Sequence, residues 1–146
     1  SVAELTHRFV PAMKARGQGW VLQVASLYAF SHGTGFGSYA ASKHFLLNLS
    51  DTLNHELASS GVKVTALCPG LTRTEFFSAA GMDDQGKKFK SMAMSSRSVA
   101  KIGLDALLEG KPYVVPGRQN RFVAWSSRFT SRSMKIKGAR YLQSLV

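Results

Sequence analysis

Tyr39 and Lys43 stand four residues apart, a separation that puts two side chains on one helix face, one turn from each other. A phenol of pKa about 10 is a poor base at neutral pH, and a nearby ammonium favours its phenolate. At about 4 Å and an effective dielectric of about 20 the attraction is roughly 4 kcal/mol before desolvation. Such a pair is equipped to exchange a proton near neutral pH. Chance alone yields roughly 0.3 pairs of this spacing in a chain of this make-up, so the context has to carry the argument. Ser26 lies thirteen residues before Tyr39 and offers a hydroxyl; Pro69, Gly70, Leu71, Thr72, Arg73 and Thr74 offer a neighbouring wall.

The surrounding pattern supplies elements to hold these groups. Val2, Leu5, Phe9 and Met13 recur at helical spacing, which predicts an amphipathic helix over about residues 2–15. The short apolar run 20–25 between glycines predicts a buried strand that ends beside Ser26. A Gly- and Ser-rich loop, 27–38, leads to a second helix with Leu46, Leu49, Leu53 and Leu57 in line, ended by Ser59, Ser60 and Gly61. Residues 62–68 read as the next strand, closed by Pro69. A strand, a long helix and a strand make a parallel pair with a crossover, and open sheets of this kind bind ligands beyond the carboxyl ends of their strands. A helix over 98–108 and a short strand over 113–115 follow. The fold class is therefore α/β, a partial Rossmann-like, doubly wound parallel sheet with flanking helices. Three parallel strands are few for a finished sheet, and with a helix starting directly at Ser1 we expect further sequence upstream.

Composition narrows the alternatives. The 146 residues are 45% hydrophobic and 18% charged, an ordinary globular balance, with neither a spanning apolar run nor a signal-peptide pattern. Cys68, the single cysteine, suits a reducing compartment; we expect a cytoplasmic protein. The net charge of +11 is uneven: residues 111–146 contain eight Lys or Arg and no Asp or Glu. The chain divides into a catalytic part, 1–117, and a basic helical tail, 118–146.

Four stretches, Met13–Gly17, Val21–Ser26, Tyr39–Lys43 and Gly61–Thr74, occur in an order and spacing that resemble the short-chain dehydrogenase/reductase family. The resemblance implies an oxidoreductase that moves a hydride between NAD or NADP and an alcohol or carbonyl substrate. Tyr39 would be its general acid/base, Lys43 would lower the tyrosine pKa and bind the nicotinamide ribose, and Ser26 would stabilise the substrate oxygen. Thr74 with the Pro69-Gly70 turn would hold the nicotinamide end. It also implies a homodimer or homotetramer, with the second helix in the contact. The family's glycine-rich phosphate loop and helical asparagine do not occur here and would lie before Ser1, leaving these residues alone inactive. Gln23 stands where the family often has asparagine, and 113–117 replaces its usual C-terminal ending.

Other readings fit less well. Gly35, Gly37 and Ala40 with Glu56 match a dinucleotide fingerprint in letters, but the strand ends nine residues too early and Glu56 lies inside a helix. No G-x-S-x-G occurs, and His7, His32, His44 and His55 lack metal-ligand spacing, so we expect no metal. Leu27, Tyr28, Phe30, Phe76, Phe77 and Met82 flank the pocket, suiting an apolar substrate, and 76–94 has the composition of a lid. In the tail, Phe122, Trp125 and Phe129 align with Arg121, Arg128 and Arg132. We read these aromatics as packing over the core with the arginines solvated; the alternative is a helix lying on anionic lipid. No reader motif supports nucleic-acid binding. The competing function is a non-catalytic interaction module acting through this tail.

Overall fold

The computed structural model describes residues 1–32, 35–75, 79 and 93–137. Helix α1, Val2–Ala15, opens with a capping box in which Ser1 accepts from the Glu4 N–H and the Glu4 carboxylate reaches back to the Ser1 amine. Strand β1, Gly19–Val24, leads through a 3-10 turn, Leu27–Phe30, into the twenty-residue α2, Gly37–Glu56. A second 3-10 turn, Ala58–Ser60, ends on Gly61 in the left-handed region at φ 74° and passes the chain to β2, Val62–Leu67. The short strands β3, Thr72–Arg73, and β4, Met94–Ser95, precede α3, Ser96–Glu109. Strand β5, Tyr113–Val114, and helix α4, Arg118–Ser126, follow, with a further helical stretch over 132–137.

The main sheet has the order β1-β2-β5, all parallel. Gly19 pairs with Val62 and the register runs unbroken to Val24 with Leu67, so both strands end at the same level. A separate parallel pair joins Thr72 to Met94 and Arg73 to Ser95. Ser26 and the Pro69-Gly70 turn therefore leave the sheet side by side. One core cluster unites Ala25, Leu46, Ala66, Cys68, Val115 and Ala124; a second unites Val10, Leu57, Val62 and Val64. Ala124 ties α4 to the body that carries the site.

Helix α1 matches the amphipathic helix expected over 2–15, but of its apolar line only Met13 packs against a core cluster; Leu5 and Phe9 are 55% and 59% exposed, and Thr6 and Val10 are the buried residues. The helix is turned because Thr6 belongs to a buried polar chain, in which Gln23 Nε2 donates to Thr6 Oγ1 at 3.2 Å and Ser50 Oγ donates to Gln23 Oε1 at 3.0 Å. The position that departs from the family's usual asparagine thus joins α1, β1 and α2. The stretch 27–38 is also not wholly a loop, since Leu27–Phe30 is helical and α2 begins at Gly37. The residues Phe76, Phe77 and Met82, and most of the expected lid, lie outside the described residues.

Candidate active site

Ser26 sits just past β1 with its backbone extended and its side chain buried. Its hydroxyl accepts from the Tyr28 N–H at 3.2 Å, capping the 3-10 turn. The Leu27 N–H donates to the Pro69 carbonyl at 2.8 Å, which fastens the Ser26 turn to the Pro69-Gly70 turn. Thr72 Oγ1 donates to the Gly70 carbonyl at 3.1 Å and tightens the second turn. Thr74, exposed, follows β3 at the rim of this wall.

Tyr39 and Lys43 enter from the first two turns of α2. The Lys43 ammonium lies 5.5 Å from the centre of the Tyr39 ring and donates to the Val24 carbonyl at 2.9 Å. The helix spacing, the bond to the strand end and the cation above the ring hold the pair at the carboxyl end of β1. Burial lowers the Lys43 pKa, and the nearby Cys68 thiol opposes that shift. Ser26, Tyr39, Lys43 and the Pro69-Gly70 turn are thus gathered at one end of two adjacent parallel strands.

Three further residues shape this place: Tyr28, which the sequence offered only as an apolar flank of the pocket, and Cys68 and Asn120, which it did not offer for the site at all. Tyr28 packs edge-on against Tyr39, with ring centroids 5.8 Å apart and planes at 79°; burial, then Tyr39, raises its phenol pKa. Cys68 lies fully buried beneath the turns. Burial pushes its thiol up to about 12, countered by the Ser26 backbone N–H that donates to it and by Lys43. Asn120 of α4 rests against Gly70, where an added Cβ would come within 2.6 Å of its side-chain amide, and its Nδ2 donates to the Pro116 carbonyl at 2.7 Å. The signal for Asn120 lay only in the third dimension, since fifty residues separate it from Gly70. The Phe30 ring lies 5.7 Å from that of Tyr113 and packs against the core cluster that includes Ala25 and Cys68. His44 bonds the Ala40 carbonyl of its own helix at 2.9 Å.

Residues 1–85, more than half of the chain, match the family described as short chain dehydrogenase. The chain belongs to this family. A human member, "Dehydrogenase/reductase SDR family member 4", is 43% identical over 83 residues, covering 57% of this chain and 30% of its own length. An Escherichia coli K12 member, "Uncharacterized oxidoreductase YbbO", is 35% identical over 106 residues, covering 73% of this chain and 39% of its own. Among solved structures, a short-chain dehydrogenase from Sphingobium yanoikuyae in complex with NADPH superposes with a TM-score of 0.73 and 27% identity. That match covers 99% of this chain and 52% of the other. A 7beta-hydroxysteroid dehydrogenase structure shares the fold, with a TM-score of 0.78 at 21% identity. The chain spans about a third of the length of the curated relatives it matches and about half of these structures.

Proposed function

We propose that this segment provides the acid/base half of a short-chain, nicotinamide-dependent oxidoreductase acting between an alcohol and a carbonyl. The supporting observation is the pairing of Tyr39 and Lys43 on one face of α2, with Lys43 bonded to the Val24 carbonyl at the end of β1, two residues before Ser26. In this reading the Tyr39 hydroxyl gives a proton to the carbonyl oxygen on reduction and takes one from the alcohol on oxidation. The Ser26 hydroxyl donates to the same oxygen as charge gathers there. Lys43 supplies a positive charge over the Tyr39 ring.

The donor chemistry fits NAD or NADP. Lys43 carries three N–H donors; one is directed to Val24, and an ammonium at the strand end suits a ribose diol. Lys43 and Tyr39 would hold that ribose, and Pro69, Gly70 and Thr74 would border the nicotinamide. When bound, the nicotinamide supplies or accepts the hydride. The cofactor found with the Sphingobium relative supports the choice of class. Tyr28 and Leu27 give the substrate side an apolar border.

The exposed Val2, Leu5 and Phe9 of α1 and Phe45 of α2 support a homodimer or homotetramer joined through these helices. The test of the enzymatic reading is to titrate the polypeptide that carries these 146 residues with NADH and NADPH and to follow cofactor oxidation with a panel of ketones and aldehydes. Saturable binding and carbonyl-dependent oxidation are expected. A protein that binds neither cofactor and reduces no carbonyl overturns the reading.

A further inference from the structure

Helix α4 presents an unusual outer face. Phe122, Trp125 and Phe129 are 65%, 55% and 76% exposed, so the expectation that they pack over the core is not met; Ala124 is the buried residue of the helix. The three rings still touch one another. Phe122 and Trp125 lie 6.0 Å apart between centroids and Trp125 and Phe129 lie 5.1 Å apart, which makes one continuous aromatic ridge. Steps of three and four residues place Arg118 and Arg121 beside Phe122 and Trp125 on α4, and Arg128 and Arg132 follow in the turn and the next helical stretch. Met134 and Ile136 extend the exposed apolar surface.

The ridge is held in place. Arg128 donates to the Tyr113 hydroxyl at 2.8 Å, tying the turn after α4 to β5. Beside it runs a groove of about 350 Å³, walled by Phe30, Tyr113, Val115 and Trp125, with Arg121 and Arg128 also in its lining. The sequence that carries the ridge has charge of one sign. Residues 111–146 hold eight Lys or Arg and no carboxylate side chain. His32 feels the same field: desolvation, then Arg132, His44 and Lys135, lower its pKa, and its buried Nδ1 has no hydrogen-bond partner among the described residues.

Exposed aromatic side chains beside arginines that form no ion pair among the described residues are well suited to the headgroup layer, where rings enter the acyl boundary and guanidiniums meet phosphates. We propose that the face formed by Phe122 and Trp125 of α4 and Phe129 of the turn after it, with Arg118 and Arg121 beside them and Arg132 following, rests on the surface of an anionic phospholipid bilayer. The commitment to lipid rests on charge complementarity, a segment 111–146 that is basic without one acidic side chain, combined with a ridge of contiguous rings. The proposal does not depend on the enzymatic reading, and its test measures no turnover.

The experiment is co-sedimentation of the 146-residue chain with vesicles of phosphatidylcholine alone and of phosphatidylcholine with about one-third phosphatidylglycerol, at low and high salt. A Trp20→Phe chain leaves Trp125 as the single indole reporter. Binding to the anionic vesicles with a blue shift of Trp125 emission is expected, weakened by salt. Arg118→Gln, Arg121→Gln and Arg132→Gln should each weaken it about fivefold, and the Phe122→Ser/Phe129→Ser double variant should weaken it at least tenfold. Both sets alter exposed side chains, and circular dichroism checks that the fold persists. Absence of binding, equal binding to neutral vesicles, or indifference to these variants overturns the proposal. So does self-association that the double variant abolishes while no vesicle binds, since a second copy would then be the occupant.

Discussion

Lys43 reaches from α2 to the end of β1, where its ammonium donates to the Val24 carbonyl at 2.9 Å while lying 5.5 Å from the centre of the Tyr39 ring. One side chain thereby fixes the helix against the strand and sets a positive charge above the phenol. Replacing it with methionine keeps the stem and removes the charge. Turnover should fall about 100-fold, with unfolding stability changed by no more than about 1 kcal/mol because the lost bond is offset by relief of desolvation. Lys43→Arg should not restore the rate, since a planar fork cannot reproduce a point ammonium. Steady-state kinetics and urea unfolding of both variants provide the check, and full activity in Lys43→Met contradicts the assignment.

Gly61 and Gly17 form a built-in control for backbone geometry. Both have positive φ, 74° and 69°, but a Cβ on Gly61 would fall 2.0 Å from the Gly17 carbonyl oxygen, whereas one on Gly17 meets nothing within 4 Å. Gly17→Ala should cost about 1 kcal/mol, from the left-handed conformation alone. Gly61→Ala should cost more than about 2 kcal/mol, because the strain and the clash add. Urea midpoints at constant m-value measure both; equal costs would show that the close approach is unimportant.

The polar chain from Thr6 through Gln23 to Ser50 gives a third prediction. Gln23→Leu removes the middle member, yet Thr6 Oγ1 keeps its bond to the Val2 carbonyl and Ser50 Oγ keeps its bond to the Leu46 carbonyl. The expected loss is therefore about 1 to 3 kcal/mol and not an unfolded chain. Hydrogen exchange should quicken in α1 before β2, since α1 loses its clip to the sheet. Unchanged stability and exchange would mean that the network contributes nothing.

Cys68 predicts a pH effect. Its thiol is pushed up to about 12 in the folded chain from an ordinary 9.0, so between those values the unfolded chain loses a proton that the folded chain keeps. The contribution to stability is complete below about pH 9 and is lost as pH rises toward 12. Wild type should lose more stability than Cys68→Ala between pH 8 and 11, the difference isolating this group from other alkaline titrations. The folded protein should also resist thiol reagents until it opens. Parallel pH profiles for the two proteins contradict this account.

Much of the site was legible because its spacing is local. Tyr39 and Lys43 share one helical turn, and Ser26 and Pro69 each end an apolar run that had to be a strand. Parallel pairing then follows from the long helix between them, and it sets the two turns side by side. The orientation of α1 was hidden, because apolar periodicity at Val2, Leu5 and Phe9 marks a face without saying what covers it. Thr6, a polar residue, was the inward one, for a reason held in Gln23 and Ser50. The contacts of Tyr28 with Tyr39, and of Asn120 with Gly70, arise from tertiary packing and carry no periodic signal. The aromatics of α4 sat at helical spacing, as read, but spacing could not tell a packed face from an exposed one.

The central claim, that Tyr39 handles the proton, is tested most directly by Tyr39→Phe in the polypeptide carrying this chain. The ring that packs against Tyr28 remains and only the hydroxyl is lost. We predict a fall in kcat of about 10² to 10⁴-fold, with cofactor affinity and melting temperature within error of wild type. A kcat within about twofold of wild type, from a folded variant that still binds NAD or NADP, contradicts it.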